Sequence, residues 1–280
     1  MVEHQLATGA RRVRLVGEVD FGQDPASWSE WIRYESVVNV ALAPYPSWSV
    51  CAYDTRTLPE PVLNARHRTH PYLLTPAGRR RNPRYVQPAR FLRPSQPARP
   101  DPLEATDPTV VAGDLTDTTQ LAALRQHLHD QLVRAMVPDP ARSDFVGAVS
   151  EVAANGILHG RPPVQVRVWA SLGRLVATVT DQGDGLDDPL AGYLPRRGRD
   201  PRRAGMGLWL TRQLCHQVEM SRTPEGFTVR LVTAIPDPAA NRLERGARAQ
   251  GHAETANARA AKARAHAIEL MRRYSQLDAT

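Results

Sequence analysis

Apolar residues between positions 115 and 233 follow helical spacing twice and then alternate with polar residues. A stripe of leucines predicts a helix from Thr118 to about Met136, and a second helix is predicted from Asp144 to about His159. Ser143 is the expected N-cap of the second helix, and Gly160 follows its expected end. The remaining predicted elements are strands at 164–168 and 175–180, a helix from Gly205 to Leu214, and a hairpin of 218–222 with 227–232. This pattern predicts an α+β fold, a two-layer sandwich in which helices cover one face of a mixed sheet.

The first 93 residues show a different pattern, in which short strands and helices alternate. Residues 13–19 and 48–54 are predicted strands, and helices are predicted at 25–39 and from Pro59 onwards. This order is typical of an α/β layer, but so few strands form only a small sheet. We therefore expect a partial α/β domain here.

Proline and arginine mark the boundaries between the parts of the chain. Residues 76–100 hold six prolines and seven arginines and no acidic residue, a composition that favours extended backbone. A second break follows at Ile235-Pro236. The predicted organisation is a partial domain over 1–93, a Pro/Arg-rich linker over 94–114, a complete domain over 115–235 and an Ala/Arg-rich helical tail over 236–280.

Composition and charge exclude several classes of protein. No apolar run approaches the ~18 residues of a membrane-spanning helix, and the N-terminus lacks the apolar segment of a secretory signal. Cys51 and Cys215 show no metal-ligand or disulfide spacing, so the cytoplasm is the expected compartment. The net charge of +7 suggests nucleic acid, but residues 101–234 carry 14 arginines against 16 acidic residues. We therefore do not expect direct nucleic-acid binding.

Two polar segments flank the first predicted strand pair of the complete domain. Glu151 and Asn155 are four residues apart, so they share one face of the second predicted helix. A carboxylate and a carboxamide one turn apart can activate a hydroxyl and coordinate Mg²⁺, although both are also ordinary on a solvent-exposed face. Asp181, with Gly183 and Gly185, directly follows a predicted strand. An ionised aspartate there can accept a hydrogen bond from an amine such as that of adenine, although a plain turn has the same composition.

A third segment, Ala204-Gly205-Met206-Gly207-Leu208, begins a predicted helix after an arginine-rich loop. Glycines at a helix N-terminus expose free N–H groups that favour phosphate. The arginines of the loop, which include Arg196 and Arg203, would face a polyphosphate. Phosphate binding is therefore the expected property of this segment.

The three segments together resemble the motifs of the GHKL ATPases, and within them the anti-sigma-factor serine kinases. EVAANGILHG resembles the N box of that family, DQGDGL its G1 box and GMGLWLTRQLC its G2 box. The resemblance implies the GHKL (Bergerat) fold over 115–235, with Glu151 as general base and Asn155 as the Mg²⁺ ligand. The implied ATP-binding residues are Asn155, Asp181, Gly183, Gly185, Arg203, Gly205, Met206, Gly207, Leu208 and Thr228. Gly156 departs from the alanine that is usual in the family, and we expect looser placement of Mg²⁺ as a result.

Residues 13–93 are similar to the latter half of a MEDS-type sensory domain. The similar segments are VRLVGEVDF, WIRYESVVNVAL, VCAYDTRTLPEPVLNARHRTHP and NPRYVQPARFL. The front half of such a domain is not found in the sequence. We expect a misassigned start codon rather than a truncated chain, because half a sheet would expose an unpaired edge.

For the whole chain the resemblance implies an ATP-binding bacterial regulatory protein that uses ATP and Mg²⁺. Such a protein would phosphorylate a serine on an antagonist protein, sequester a sigma factor and control transcription by partner switching, and a homodimer is expected. Two other hypotheses stay open. His129-Asp130 resembles the phosphoacceptor box of a sensor histidine kinase, although only 26 residues separate His129 from Asn155. The other hypothesis is a non-catalytic module that binds a partner in an ATP-dependent way.

Overall fold

A computed structural model describes residues 2–19, 21, 25–93, 100–139, 141–194 and 207–235 of the chain. The chain divides into two compact units. The described part of the first unit comprises residues 2–19 and 38–86, and that of the second comprises 21, 25–37 and the described residues between 87 and 235. The predicted helical tail over 236–280 lies outside the described residues. Within the part of the chain that is described, no helix is long and apolar enough to cross a membrane.

The first unit contains two small sheets. Strands β1 (Val13–Glu18) and β2 (Ser47–Ala52) pair in parallel, and β3 (Tyr72–Thr75) and β4 (Gly78–Arg81) form an antiparallel hairpin. The helices of residues 2–93 are α1 (Val2–Ala7), α2 (Pro25–Leu42), α3 (Glu60–Thr69) and the short α4 (Pro88–Phe91), the last of which belongs to the second unit. The predicted order of strand, helix, strand and helix is confirmed for β1, α2, β2 and α3. Helix α2 contributes its residues up to Val37 to the second unit.

The second unit is built on a five-stranded sheet with the order β5-β6-β7-β9-β8. Its strands are β5 (Val110–Leu115), β6 (Val164–Ser171), β7 (Arg174–Asp181), β8 (Gln217–Thr223) and β9 (Gly226–Ala234), and its further helices are α5 (Leu121–Arg134), α6 (Ala141–His159) and α7 (Gly207–Leu214). The predicted α+β class is confirmed, but the sheet is antiparallel in all four described pairings rather than mixed. Tight turns join β6 to β7 and β8 to β9, and such turns produce antiparallel neighbours.

The hydrophobic core lies between the sheet and helices α5 and α6. Leu128, Leu132 and Phe145 of the helices and Val166 of β6 are completely buried in it. The leucine stripe of the sequence therefore marks the core face, as predicted. Met136 is the exception, because it has a positive φ of 58° and is 83% exposed. The chain leaves the helix at that point, so α5 ends at Arg134 rather than at Met136.

Helix α6 begins at Ala141, earlier than the predicted start at Asp144. Ser143 is not its N-cap, because Ser143 lies inside the helix and its hydroxyl donates to Asp139 Oδ1 at 2.8 Å. The other end of the helix agrees with the prediction: α6 ends at His159, and the N–H of Gly160 donates to the carbonyl of Asn155 at 3.1 Å. The carboxylate of Asp139 instead accepts hydrogen bonds from the side chains of Arg142 and Ser143 in the first turn of the helix.

The predicted linker over 94–114 is structured in its second half. Residues 100–107, here called the covering segment, include a 3₁₀ turn at Pro102–Ala105 and lie on the face of the sheet that α5 and α6 leave uncovered. Leu103 packs on an apolar cluster of that face, and the Trp169 indole N–H donates to the carbonyl of Thr106 at 2.9 Å. Strand β5 then follows and pairs with β6. The folded second unit therefore begins well before residue 115, while residues 94–99 lie outside the described residues.

Ion pairs hold the covering segment in place. Asp101 pairs with Arg174 of β7, and Glu104 pairs with Arg230 of β9 at 2.5 Å. Arg230 also contacts Glu219 of β8 at 3.2 Å. Burial alone would lower the pKa of Arg230, but its hydrogen bonds to the two glutamates and their charges outweigh burial and raise that pKa above the ordinary arginine value. The acidic residues of this proline-rich segment thus neutralise arginines of the sheet.

Candidate functional site

Asp181 ends strand β7 and is 7% exposed. Its Oδ1 accepts hydrogen bonds from the backbone N–H of Gly183 at 2.7 Å and from that of Arg161 at 3.2 Å. Among the described residues no donor reaches Oδ2 of this carboxylate. Asp181 is therefore fixed by two backbone donors and keeps one oxygen as an acceptor for a ligand.

Two glycines allow the backbone to approach this carboxylate. A Cβ at Gly183 would lie 2.6 Å from Asp181 Oδ1, and a Cβ at Gly160 would lie 2.5 Å from the same oxygen. Gly183 was predicted as a site residue, whereas Gly160 was predicted only as the end of α6. Its second role depends on the closeness of a helix-ending glycine to an aspartate at a strand end. Only the folded chain brings these two residues together, so the sequence alone did not indicate that role.

Thr228 lies on β9, the neighbour of β7, where it pairs in register with Thr180. The hydroxyl oxygens of Thr180 and Thr228 are 2.9 Å apart, and Thr228 is 6% exposed. Gly185 has a positive φ of 82° and lies against the ring of Phe227, the residue before Thr228. Asp181, Gly183, Gly185 and Thr228 are therefore brought to one end of the β7–β9 pair.

The face of α6 that carries Glu151 and Asn155 meets the first residue of α7. Both side chains are half-buried. A Cβ at Gly207 would lie 2.7 Å from Glu151 Oε2 and 3.3 Å from Asn155 Nδ2. Leu208 follows in α7 and packs against the hydrophobic core. Glu151 and Asn155 are thus close to Gly207, the first described residue of the GMGLWLTRQLC segment, whereas His159 is exposed at the end of α6.

Gly156 has a packing role in the same helix. It is buried, and a Cβ there would lie 2.9 Å from Val164 Cγ2 and 3.5 Å from Asp181 Cβ. The absence of a side chain lets α6 approach both the start of β6 and the aspartate. This contact explains the departure from alanine, while the expected looser placement of Mg²⁺ stays a prediction.

Several predicted phosphate-site residues lie outside the described residues. They are Arg203, Gly205, Met206 and the other loop arginines Arg196, Arg197, Arg199 and Arg202.

An open pocket of about 300 Å³ lies beside the Asp181 loop. Arg161 and Gly183 form one part of its lining, and Arg222 and Glu225 of the β8–β9 hairpin form another. A hydrogen bond from the Thr223 hydroxyl lowers the pKa of the Glu225 carboxyl. Both positively and negatively charged side chains therefore line the pocket, next to the predicted adenine position.

Comparison with known families agrees with this geometry. The family model described as Histidine kinase-like ATPase domain matches residues 115–233. The model described as MEDS (MEthanogen/methylotroph, DcmR Sensory domain) matches residues 1–71. No curated protein matches the chain. The chain therefore contains a histidine kinase-like ATPase domain and an N-terminal MEDS domain, and the combination indicates a kinase-like, ATP-binding regulatory protein.

Both family resemblances found in the sequence are confirmed at this level. The anti-sigma-factor serine kinase subgroup, the Mg²⁺ ion and the partner proteins stay predictions. The MEDS match ends at residue 71, whereas the sequence pattern extended the resemblance to residue 93.

Proposed function

We propose that this protein is a serine kinase that transfers a phosphoryl group from Mg-ATP to an antagonist protein and sequesters a sigma factor. The proposal is carried by one observation, the convergence of Glu151 and Asn155 of α6 on Gly207 of α7. In this arrangement a carboxylate, a carboxamide and the beginning of a helix lie close together in the ATPase domain. Each of the three has a separate chemical task.

The adenine end of the proposed site is Asp181. Its carboxylate is held in place through Oδ1, so Oδ2 can accept a hydrogen bond from the exocyclic amine of adenine. Thr228 supplies a hydroxyl on the neighbouring strand. These groups recognise the base and take no part in the transfer.

The phosphate end is the junction of α6 and α7. Mg²⁺ prefers oxygen ligands, and the side chain of the half-buried Asn155 carries a carboxamide oxygen of that type. Gly207 allows α7 to approach Glu151 and Asn155 closely, because a side chain at this position would collide with the Glu151 carboxylate. The residues therefore fit a metal-bound triphosphate. When bound, ATP would supply the phosphoryl group, and Mg²⁺ would neutralise its negative charge.

The protein's own contribution to the chemistry is proton removal by Glu151. As the serine oxygen bonds to the γ-phosphorus and the bond to the bridging oxygen breaks, ADP leaves and the hydroxyl proton passes to the Glu151 carboxylate. The other groups position the reactants. Phosphoryl transfer depends mainly on such positioning and on charge neutralisation.

The position of His129 favours this function over histidine autophosphorylation. His129 is half-buried in α5, between the completely buried Leu128 and the exposed Asp130. Helix α5 is the opening helix of the ATPase domain itself and packs on α6. A phosphoacceptor histidine belongs on a separate helical hairpin, which α5 does not provide.

A phosphotransfer assay with Glu151→Gln tests the proposal. The purified chain is incubated with radiolabelled ATP, Mg²⁺ and the antagonist protein encoded by a neighbouring gene. We expect transfer to fall by at least about a hundredfold, the usual contribution of a general base, while ATP binding changes by less than about twofold. Glu18→Gln, an exposed glutamate at the end of β1, is the matched control. Unchanged phosphorylation by Glu151→Gln would contradict the assignment, and an acid-labile phosphate lost in His129→Ala would support the autokinase instead.

A further inference from the structure

Arg212 lies in the middle of α7, and its side chain is only 8% exposed. Its Nη1 donates to Glu30 Oε1 at 2.6 Å and to the carbonyl of Val218 at 3.1 Å. The guanidinium also lies over the ring of Tyr193, 3.8 Å from its centroid. Arg212 therefore joins α7 to three other parts of the second unit.

Glu30 is the carboxylate that compensates the charge of Arg212. It belongs to α2, whose residues up to Val37 are part of the second unit, and its own side chain is 20% exposed. Arg212 Nε is buried without a hydrogen-bond partner among the described residues. The guanidinium consequently depends on Glu30, since a buried charge without an opposite charge is strongly unfavourable.

The same cluster contacts the segment that precedes α7 in the described chain. Tyr193 lies under Arg212, and burial raises the pKa of its hydroxyl. Gly192 has a positive φ of 79°, and a Cβ there would lie 2.9 Å from the Cβ of Leu208. Gly192 thus packs on the first turn of α7, and Tyr193 packs on the side chain of Arg212, which Glu30 of α2 binds.

The contacts form a continuous path from α2 to the proposed phosphate end. Glu30 holds Arg212, Arg212 fixes α7, and α7 begins with Gly207 beside Glu151. Displacement of this eight-residue helix would move Gly207 away from the carboxylate and the carboxamide of α6. An ordinary surface ion pair would not have this effect, because its partners are solvated and it contributes little to stability.

We propose that Glu30 is a positioning residue for the nucleotide site, which acts through Arg212 to hold α7 against Glu151 and Asn155. This inference rests on the proposed ATP binding at that site. Since α2 lies within the residues that match the MEDS domain, the pair gives the sensory part of the chain a direct effect on nucleotide affinity. The coupling is between one sensory helix and one helix of the ATPase domain.

Nucleotide binding by the full-length chain tests the inference. Mg²⁺ and a fluorescent ATP analogue are titrated into the wild type, Glu30→Gln, Arg212→Gln and the double variant. We expect each single variant to bind about tenfold more weakly, within the range of about 5–150-fold that is typical of coupled sites. The affinity of the double variant should be within about twofold of that of the weaker single variant, because both substitutions break the same Glu30–Arg212 ion pair. Glu18→Gln, an exposed glutamate at the end of β1, is the control.

Amide hydrogen exchange in α7 provides a readout that needs no nucleotide. We expect residues 207–214 to exchange about tenfold faster in Glu30→Gln than in the wild type, and Glu30→Asp to restore part of the protection. Unchanged exchange in α7, or wild-type affinity in Glu30→Gln, would overturn the positioning role. If the wild type bound no nucleotide while exchange still rose in Glu30→Gln, the proposed function would fail and the role of Glu30 in fixing α7 would be supported.

Discussion

Replacement of Gly156 by alanine tests the close approach of α6 to the sheet through the sign of a stability change. In a helix without tight neighbours, Gly→Ala stabilises by about 1 kcal/mol, because alanine has the higher helix propensity. At Gly156 the new Cβ would lie 2.9 Å from Cγ2 of Val164, which is completely buried. Overpacking of this kind costs about 1–3 kcal/mol. The net expectation is a destabilisation of about 1 kcal/mol.

Gly147→Ala is the matched control in the same helix. The nearest atom to a Cβ at Gly147 is Leu214 Cδ1 at 3.9 Å, which is ordinary van der Waals contact. We expect this variant to be more stable than the wild type by up to about 1 kcal/mol. The two substitutions are chemically identical, so their difference isolates the space available at each position.

Thermal unfolding followed by circular dichroism measures both variants. A change of about 1 kcal/mol shifts the unfolding midpoint by about 2–4 °C for a unit of this size, so Gly156→Ala should unfold a few degrees lower and Gly147→Ala slightly higher. An equal rise in both midpoints would show that α6 does not press on β6 at Gly156. It would also remove the packing explanation for the missing alanine.

Three further predictions follow from the contacts of the second unit and from the two thiols. Asp181→Asn retains an Oδ1 acceptor for the backbone but loses the negative charge. A hydrogen bond to a charged group contributes about 1.5–3 kcal/mol, so ATP binding, measured by calorimetry, should weaken by about ten- to a hundredfold. Glu104→Gln should lower the free energy of unfolding, measured in urea, by about 1–3 kcal/mol, because Arg230 is left with one carboxylate partner; an unchanged midpoint would refute a structural role for the covering segment. Burial raises the pKa of Cys215 to about 11, so iodoacetamide at pH 8 should modify Cys51 first, as judged by mass spectrometry. Because the pKa of Cys215 is higher in the folded state, its contribution to stability is complete below about pH 9 and is lost as the pH rises towards 11.

Local pattern was enough to predict the elements that position the site. The spacing of leucines predicted α5, and the position of Glu151 and Asn155 on one face of α6 followed from the geometry of a helix. Asp181 was expected at a strand end and lies there. These features depend on neighbours within a few residues, which a single sequence records directly.

The features that the sequence did not predict depend on residues far apart in the chain. The covering segment has the composition of a linker, and long-range contacts such as its ion pairs with Arg174 and Arg230, 73 and 126 residues away, make it part of the fold. The Glu30–Arg212 pair spans 182 residues. Strand β5 was missed because it is short and its pairing with β6 is interrupted between Ala112 and Leu115. Contacts of this kind leave no periodic signal in the sequence.

The central claim is that Glu151 accepts the proton of a serine hydroxyl during phosphoryl transfer from ATP. The most direct measurement is the site of the phosphate after incubation of the wild type and Glu151→Gln with radiolabelled ATP, Mg²⁺ and the antagonist protein, located by mass spectrometry. The account predicts phosphoserine on the antagonist with the wild type and at least about a hundredfold less with Glu151→Gln, although both bind ATP. Equal phosphoserine with both proteins, or phosphate on His129 alone, would contradict it.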